Sequence, residues 1–324
     1  MTNGLKGLMA GLASTLLLSS CSVKTMALRT TAGILSEASA EIETETNWLR
    51  FKAGVPAALK TLEGLLYIEP ENTDLLVAVT KAYGAYGFGV YETLHLKEKF
   101  KDADHQPNKA QALDYYKRSI TYGLRWLQVN NISIEVLRNA IKSGKGSSLL
   151  DSNLDSSSPL DLDGAFFLGQ SWLSYINLQR DQPALVAQTY IVKSLFDWVC
   201  QKNPEFKQGA CNVFYGAYAA SRPKMLGGNP AEGKRIFEKA IKKYPDNLFL
   251  RVSFMEHYII PFMNESLYKK QKSAMLAAAN KPEPVLIPGT TKISLESTPQ
   301  KGQIFNTIAL QRFRIIRQNE SEIF

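Results

Sequence analysis

The chain has 324 residues, of which 45% are hydrophobic and 21% charged, a globular composition with enough apolar material for a large core or one long solenoid. The formal net charge is +8, but the basic residues are scattered and have acidic neighbours, which is typical of solvated helix faces. Weak attraction to an anionic lipid or an acidic partner is the alternative. No Lys/Arg tract alternates with aromatic residues, so nucleic acid is not expected as a partner.

The first 20 residues have the pattern of a lipoprotein signal peptide. Lys6 supplies a short positive region, and the apolar stretch at residues 8–18 is too short to span a bilayer. A Leu-Ser-Ser sequence then precedes Cys21, which resembles the lipobox of bacterial lipoproteins, where the cysteine is acylated and becomes the mature N-terminus. An ordinary signal peptide with a chance cysteine is the alternative. Residues 21–47 are expected to form a tether and the start of a first polar helix.

By analogy with lipoproteins, the residue after Cys21 indicates the membrane. It is Ser22, whereas an aspartate there would resemble the signal for retention in the inner membrane. The protein is therefore expected in the bacterial cell envelope, anchored by lipid to the outer membrane and facing the periplasm. Several acyl chains would make this anchor stable, because a single chain binds only marginally.

Residues 48–280 follow the pattern of an all-α protein built from helical hairpins. Helical apolar spacing is interrupted at Pro70, Pro204 and Pro245, and asparagines that can cap a helix follow the first and last of these prolines. A helix, a break that contains proline and asparagine, and a second helix form the unit that is typical of tetratricopeptide (TPR) repeats. The irregular spacing predicts divergent TPR-like hairpins that form a solenoid around a cavity. The four predicted hairpins cover residues 53–96, 108–180, 183–221 and 230–260.

Two segments are predicted to lie outside the packed helices. Residues 143–163, within the second hairpin, are too polar and Ser-rich to pack as a core element, and we predict an exposed loop there. Residues 281–324 begin with a stretch that contains four prolines. We predict an extended C-terminal tail that ends in a helix near residues 304–317.

The remaining two cysteines lie in a compartment where disulfides are permitted. Cys200 and Cys211 flank the apparent turn of the third hairpin, so a bridge between them is geometrically possible. Two buried thiols are the alternative.

Catalytic and metal-binding patterns are incomplete. The three histidines are isolated, and no Cys/His set has metal-ligand spacing. Ser221 and Lys224 satisfy Ser-x-x-Lys, but the companion motifs of penicillin-recognising enzymes are absent. The residues after Asp151 begin like a calcium loop and then lack its glycine and final glutamate. No catalytic residue, metal or cofactor is therefore expected, and a hydrolase acting through Ser221 and Lys224 is kept as a minor alternative.

The segment at residues 83–91 contains three glycines inside a predicted helix. Each glycine costs about 1 kcal/mol relative to alanine, so close packing against a neighbouring helix or an opened cavity must offset it. In the second interpretation, aromatic residues of several hairpins line the cavity, which suits an elongated apolar ligand. The candidate cavity-lining residues are Tyr83, Gly84, Tyr86, Gly87, Phe88, Tyr91, Trp172, Tyr175, Phe214, Tyr215 and Tyr218.

Four segments downstream of the lipobox are informative both in their motifs and in the order of these motifs along the chain. They are the Pro-Glu-Asn at residues 70–72, the Gly- and Tyr-rich residues 82–91, the Phe-Phe-Leu-Gly-Gln-Ser-Trp at 166–172 and the Arg-Pro-Lys-Met-Leu-Gly-Gly-Asn-Pro at 222–230. Together they resemble the TatT family, the T components associated with TRAP-type (tripartite ATP-independent periplasmic) transporters. The likeness spans about residues 21–280 and leaves the C-terminal tail outside.

This resemblance implies an all-helical periplasmic lipoprotein that self-associates as a homotrimer, with a pore-like cavity in each protomer. The implied partner is a periplasmic solute-binding protein, the P component, and the implied ligand is an apolar organic acid or a lipid-like molecule such as palmitate. The family offers no catalytic residue to carry over. The alternative is a TPR adaptor of outer-membrane assembly, whose open aromatic groove would grip a peptide.

Overall fold

The computed structural model describes residues 39–280 and 302–324, and within them the chain forms helices and turns without a β-strand. The described protein is therefore all-α, as the sequence pattern predicts. Cys21 and residues 281–301 of the predicted tail lie outside the described residues. The main helices are α1 (Trp48–Ile68), α2 (Thr73–Tyr86), α3 (Thr93–Phe100), α4 (Pro107–Val129), α5 (Ile134–Lys142), α6 (Gly146–Asn153), α7 (Pro159–Asn177), α8 (Thr189–Lys202), α9 (Ala210–Ser221), α10 (Pro230–Lys243), α11 (Leu248–Phe254), α12 (Glu265–Ala279) and α13 (Gln303–Gln318).

Asparagine side chains cap helices at the predicted breaks. Asn72 and Asn247 each accept a hydrogen bond, at 3.0 Å, from a backbone amide in the first turn of the helix that follows. Asn229 does the same for α10 at 3.1 Å, and Pro230 begins that helix. Each cap satisfies an amide that has no partner inside its helix and contributes about 1 kcal/mol.

Within each of the four predicted segments two helices contact one another, although α5 and α6 separate the pair in the second segment. α1 packs against α2, α4 against α7, α8 against α9 and α10 against α11. The Gly-Gly-Asn-Pro turn also brings α9 and α10 together closely. A Cβ built on Gly233 of α10 would lie 2.8 Å from the Cβ of Ala220 on α9, so only glycine permits this approach.

The Ser-rich residues 143–163 are not an exposed loop, and the prediction for them was wrong. They form α6 and the first turn of α7. Leu150 is fully buried and Leu154 is 6% exposed, so two leucines give this polar segment an inward face. Serine side chains form local hydrogen bonds in this segment. For example, Ser158 accepts a hydrogen bond from the Asp161 amide and caps α7.

Two helices continue through π-helical turns. α2 runs into the π-helical segment Gly87–Glu92 and on into α3, and α11 runs into the π-helical segment Met255–Ile259. A π turn is uncommon and often lies at a functional site, because it rotates the side chains that follow it.

Helix α13 joins two buried apolar clusters. Ile304 and Ile308 belong to the larger cluster, which α1, α2, α7 and α8 build, whereas Phe313 and Ile316 belong to the cluster around α10 and α11. The C-terminal helix is thus part of the core rather than a surface attachment.

The two ends of the described chain are bonded to one another. The amide of Gly302 donates to the carbonyl oxygen of Glu43 at 3.1 Å, and the Thr307 hydroxyl donates to the carbonyl oxygen of Glu45 at 3.0 Å. These bonds place the 3₁₀ segment Ser39–Thr44 beside the start of α13.

Candidate functional site

A cavity lies between α2, α7, α9, α11 and α13, and the 3₁₀ segment Ser39–Thr44 forms part of its wall. Its volume is about 200 Å³, counted as the space open to the centres of water molecules. The walls are mainly apolar, with charged side chains at two places. Concave apolar pockets with a few placed polar groups are the usual form of a small-molecule site.

Small side chains on α2 make room for this cavity. Ala78, Ala82 and Ala85 recur at three- and four-residue intervals and line it, as does Phe88 one turn later. On the same side of this continuous helix, the charged residues Lys81 and Glu92 also line the cavity, 11 positions apart. The α-helical rise of ~1.5 Å per residue gives an upper limit of roughly 16 Å for this separation, since the π-helical residues rise less, and the cavity extends along the helix.

The other walls use the same helical spacing. Phe214 on α9 is held by Phe196 of α8, whose ring stacks on it at a centroid distance of 3.9 Å. On α13, Ile304 and Ile308 lie one turn apart and face the cavity. The lining residues of α7 and α9 include Phe166, Gln170, Leu173, Asn177, Ala210, Val213, Phe214 and Ala217.

One end of the cavity holds four charged side chains, which we call the two-lysine cluster. Glu43, Lys81 and Lys207 line the cavity, and Asp163 lies behind them. The Asp163 carboxylate is 2.9 Å from Lys81 Nζ and 3.1 Å from Lys207 Nζ. The Glu43 carboxylate contacts Lys81 Nζ and lies 3.4 Å from Lys207 Nζ. Each lysine therefore touches one carboxylate from the protein wall and one from the 3₁₀ segment.

Mutual attraction keeps this cluster charged. Burial would raise the pKa of Glu43, but Lys207 and Lys81 outweigh it and hold that pKa below its ordinary value. Burial would lower the pKa of Lys81, but Asp163 and Glu43 raise it instead. The ring of Phe167 adds to this environment, since both lysine Nζ atoms lie within 5.5 Å of its centroid.

Lys207 is presented by a strained loop closed by a disulfide. The structure joins Cys200 and Cys211, whose Cα atoms are 5.8 Å apart. Lys207 has a φ of 44° and Gln208 a φ of 50°, a left-handed conformation that side chains other than glycine rarely adopt. Such strain persists only where the surrounding structure imposes it, and it directs Lys207 into the cavity.

The other end of the cavity contains Arg312 of α13, which is 2% exposed. Its guanidinium is bidentate to Glu256, with N–O distances of 2.7 and 2.5 Å, and lies 3.6 Å from Glu92. It also donates to the Thr93 hydroxyl at 3.2 Å, and Tyr116 donates to Glu92 at 2.5 Å. Glu92 and Glu256 lie in the two π-helical segments, so both segments supply a partner to the same arginine.

His257 lines the cavity next to this arginine. Burial lowers the pKa of its imidazole to about 4, although Glu256 acts in the opposite direction. Arg312 lowers the pKa further by repulsion of the imidazolium. His257 is therefore neutral at physiological pH.

Phe88 and Phe214 are the sequence-predicted candidates that the structure places in the cavity wall. Tyr83, Tyr86 and Tyr91 lie elsewhere, in a cluster with Tyr115 and Tyr122 of α4. Ring centroids in that cluster are 5.0 to 5.9 Å apart. Its rings fill the contact between α2 and α4.

Gly84 and Gly87 face α4 and α7 rather than the cavity. A Cβ on Gly84 would collide with the Ser171 hydroxyl, and one on Gly87 would lie 3.1 Å from the Cβ of Tyr115. Close helix packing thus accounts for both glycines, and the small residues that open the cavity are the alanines of the opposite face.

The four remaining candidates are not among the lining residues of the cavity. Trp172 donates to Gln188 at 3.1 Å, and Tyr215 donates to Asp197 at 2.9 Å. Their polar atoms thus bond to protein groups that do not line the cavity. The other two are Tyr175 of α7 and Tyr218 of α9.

Sequence reasoning missed the charged lining residues, among them Glu43, Lys81, Lys207 and Arg312. One signal was present for Lys81, since it is the only charged residue between Asp74 and Glu92. A lone charge inside a long apolar stretch indicates a buried partner or a site. The other three have further charged or polar residues nearby in the sequence and give no such signal.

Residues 39–280 and 302–324 contain neither a set of metal ligands nor a membrane-spanning helix. No group of three or more His, Cys, Asp or Glu side chains there could hold a metal ion. None of the described helices is long and apolar enough to cross a membrane. Ser221 and Lys224 are both exposed, at the end of α9 and in the turn that follows.

A family model described as TAtT, TRAP transporter T-component, matches residues 50–287, well over half of the chain. The matched region holds α2, α7, α9 and α11 of the cavity wall. The 3₁₀ segment Ser39–Thr44 and α13, which complete the wall, lie outside it. No curated protein matches the chain.

Proposed function

Since the chain belongs to the family of TRAP transporter T-components, a family of transport accessories, we propose that it holds the ligand of such a transport system in its cavity. The ligand would be an apolar organic acid or a lipid-like molecule. The protein would receive it from, or deliver it to, a periplasmic solute-binding protein, the P component. The observation that carries this proposal is the elongated apolar cavity with charged groups at its two ends.

The walls and the ends of the cavity have different tasks in this mechanism. Burial of an apolar chain against phenylalanine and alanine side chains supplies affinity at roughly 25 cal/mol per Å² removed from water. Charged end groups orient the polar head of the ligand, which an apolar wall cannot do. No bond is made or broken, because the task is to hold and transfer.

The envelope setting completes the proposal. Acylated Cys21 would anchor the chain at the outer membrane, with the helical domain in the periplasm. The hairpins would form a TPR-like solenoid, and three copies would assemble as a homotrimer. The peptide-adaptor alternative expects an open groove, and the position of α13 along the cavity does not favour it.

Native mass spectrometry of the full chain, purified without delipidation, tests the proposal. We expect a trimer in which each protomer carries an apolar acid or lipid. Ala82→Phe and Ala85→Phe, which add bulk inside the cavity, should each lose this ligand. Ala53→Phe, on the exposed face of α1, is the matched control and should keep it. Wild-type protein without ligand, or variants that all retain it, would contradict the proposal.

Association with the P component is tested separately by co-purification of the full chain with the solute-binding protein. We expect capture by wild-type protein and by Ala53→Phe. If the solute-binding protein is never captured, the proposed partner is wrong, whereas the proposal that the cavity binds a ligand is unaffected.

A further inference from the structure

The two-lysine cluster has the composition of an occupied carboxylate site. Two ammonium groups, Lys81 and Lys207, reach the cavity from different elements, one from α2 and one from the disulfide-closed loop. Only one carboxylate, that of Asp163, comes from the helix behind them. The second comes from Glu43, which enters from the 3₁₀ segment and itself lines the cavity.

We propose that Lys81 and Lys207 bind the carboxylate of the ligand, and that Glu43 occupies this site as an internal competitor when no ligand is bound. The inference rests on the proposed function and adds a ligand class, an aliphatic carboxylate, and its direction in the cavity. The carboxylate lies at the two-lysine cluster and the apolar chain extends along α2 towards Phe88.

The charge balance favours this exchange. With Glu43 in place the cluster has two positive and two negative groups, and with Glu43 turned away it has one excess positive charge. A ligand carboxylate restores the balance and recovers both contacts that Glu43 made. Charge-assisted hydrogen bonds to a carboxylate are the stronger ones in proteins, so the site discriminates against an uncharged head group.

The attachment of Glu43 permits the exchange. Its backbone is bonded to Gly302, at the start of α13, and its side chain alone reaches the lysines. Rotation about the side-chain bonds can therefore remove the carboxylate while the 3₁₀ segment keeps its place. Asp163 lies on α7, in the body of the protein, and remains as the fixed partner of both lysines.

The opposite end does not offer an equivalent site. Arg312 already has a bidentate bond to Glu256 and faces Glu92 as well. An anion placed there would meet two carboxylates and one guanidinium. The geometry therefore assigns one direction to a carboxylate ligand rather than two.

The experiment compares two probes of equal chain length, decanoate and decan-1-ol, by titration calorimetry of the full chain in lipid nanodiscs, with empty nanodiscs as the blank. We expect wild-type protein to bind decanoate more tightly than decan-1-ol. Lys81→Met and Lys207→Met should each weaken decanoate binding about tenfold and leave decan-1-ol binding within about twofold. Lys193→Met, which removes a lysine from an ion pair on α8 away from the cavity, should change neither.

Glu43→Gln separates an internal competitor from a merely structural ion pair. It keeps the volume and removes the charge, so we expect decanoate to bind about tenfold more tightly and decan-1-ol to be unaffected. A structural role would predict weaker binding of both probes. This variant also tests the site if a lysine variant fails to fold.

The outcomes distinguish the two proposals. Equal effects of the lysine variants on both probes, or weaker decanoate binding by Glu43→Gln, would overturn the carboxylate site and leave the apolar cavity standing. Binding of neither probe by wild-type protein would overturn both.

Discussion

Arg312 carries a positive charge into the interior, where Glu256 and Glu92 are its partners. Burial of ions is costly, and a buried pair that loses one member leaves an uncompensated charge. Arg312 holds the pKa of Glu256 below its ordinary value although burial acts to raise it, so the carboxylate stays ionised. The arginine is thus needed to keep two carboxylates inside the protein.

We expect Arg312→Met to lower the free energy of unfolding by about 3–5 kcal/mol, measured by urea denaturation. Arg314→Met changes an exposed residue of the same helix and should stay within about 0.5 kcal/mol of wild type. If both variants lose a similar free energy of unfolding, the effect comes from replacing an arginine in the helix α13. It then does not come from the buried ion pair.

His257 should make stability depend on pH. Its pKa in the folded protein is about 4, below the ordinary 6.5, so the unfolded chain takes up the proton first as the pH falls. The resulting stability is present above pH 6.5 and is lost between pH 6.5 and about 4, by roughly 3 kcal/mol. Glu256, Arg312, Arg180 and Lys99 are the charged groups that act on it.

Urea denaturation across that pH range tests this expectation. His257→Gln cannot take up the proton, so its stability should fall less with pH than that of wild type. His105→Gln, at an exposed position, should follow the wild-type curve. A pH dependence that is identical in all three proteins would contradict the prediction.

At the residue scale, sequence reasoning identified the helix of the site but not its cavity face. Ala82 lines the cavity and the next residue, Tyr83, faces α4, about 100° further round the helix. An apolar stretch such as residues 75–91 is hydrophobic on all sides, so its sequence does not show which side meets a helix and which meets a cavity. That choice depends on tertiary packing.

At the element scale, the contact of α2 with α4 and α7 depends on glycine. Gly84→Leu should lower the free energy of unfolding by at least about 2 kcal/mol, since the new side chain must enter space held by Ser171 and Ser119. Thermal unfolding followed by circular dichroism measures this. Gly54→Ala in α1, where a Cβ would meet nothing within 4 Å, should instead stabilise by about 0.5–1 kcal/mol. An unchanged melting temperature for Gly84→Leu would rule out the close packing described for this helix.

The loop that carries Lys207 depends on its disulfide. Replacement of both Cys200 and Cys211 by serine should cost about 3 kcal/mol of unfolding free energy, because the unfolded chain then regains the freedom of a short closed loop. Reductant should destabilise wild type by a similar amount and leave the double variant unchanged. A double variant as stable as wild type would show that the strained loop holds without the bridge.

The sequence predicted where helices end better than it predicted the structure of the segments between them. The breaks at Pro70 and Pro245 are followed by capping asparagines, a local chemistry that the sequence displays directly. The Ser-rich segment misled because composition favours a loop, whereas Leu150 and Leu154 bury it against neighbours distant in sequence. The π-helical turns were also missed, since no local residue pattern distinguishes them from α-helix.

At the scale of the whole molecule, the proposed lipid anchor at Cys21 would decide where the cavity operates. Cys21→Ala should move the protein from the membrane fraction to the soluble fraction, because no acyl chain could then be attached. Cell fractionation with immunoblotting measures the distribution. Ser22→Ala retains the cysteine and should remain with the membrane. Membrane retention of Cys21→Ala would refute the lipobox.

The complete cavity was the least predictable feature at this scale. A helix near residues 304–317 is evident from its apolar spacing, yet that spacing shows only that one face is covered. Ile304 and Ile308 turn out to cover the cavity, and Arg312 reaches the π-helical segments of two other helices. Contacts between such distant parts of the chain leave no trace in local sequence.

The bond between Thr307 and Glu45 joins residues 262 positions apart, and it has a consequence for biosynthesis. The chain is made from its N-terminus, so α13 is synthesised after the other main helices of the described residues. In the folded protein α13 completes a cavity wall whose other members include α2, α7, α9 and α11. The last part of the cavity wall to be synthesised is therefore the part that ties the two ends of the described chain together, and the cavity is complete only after that contact has formed.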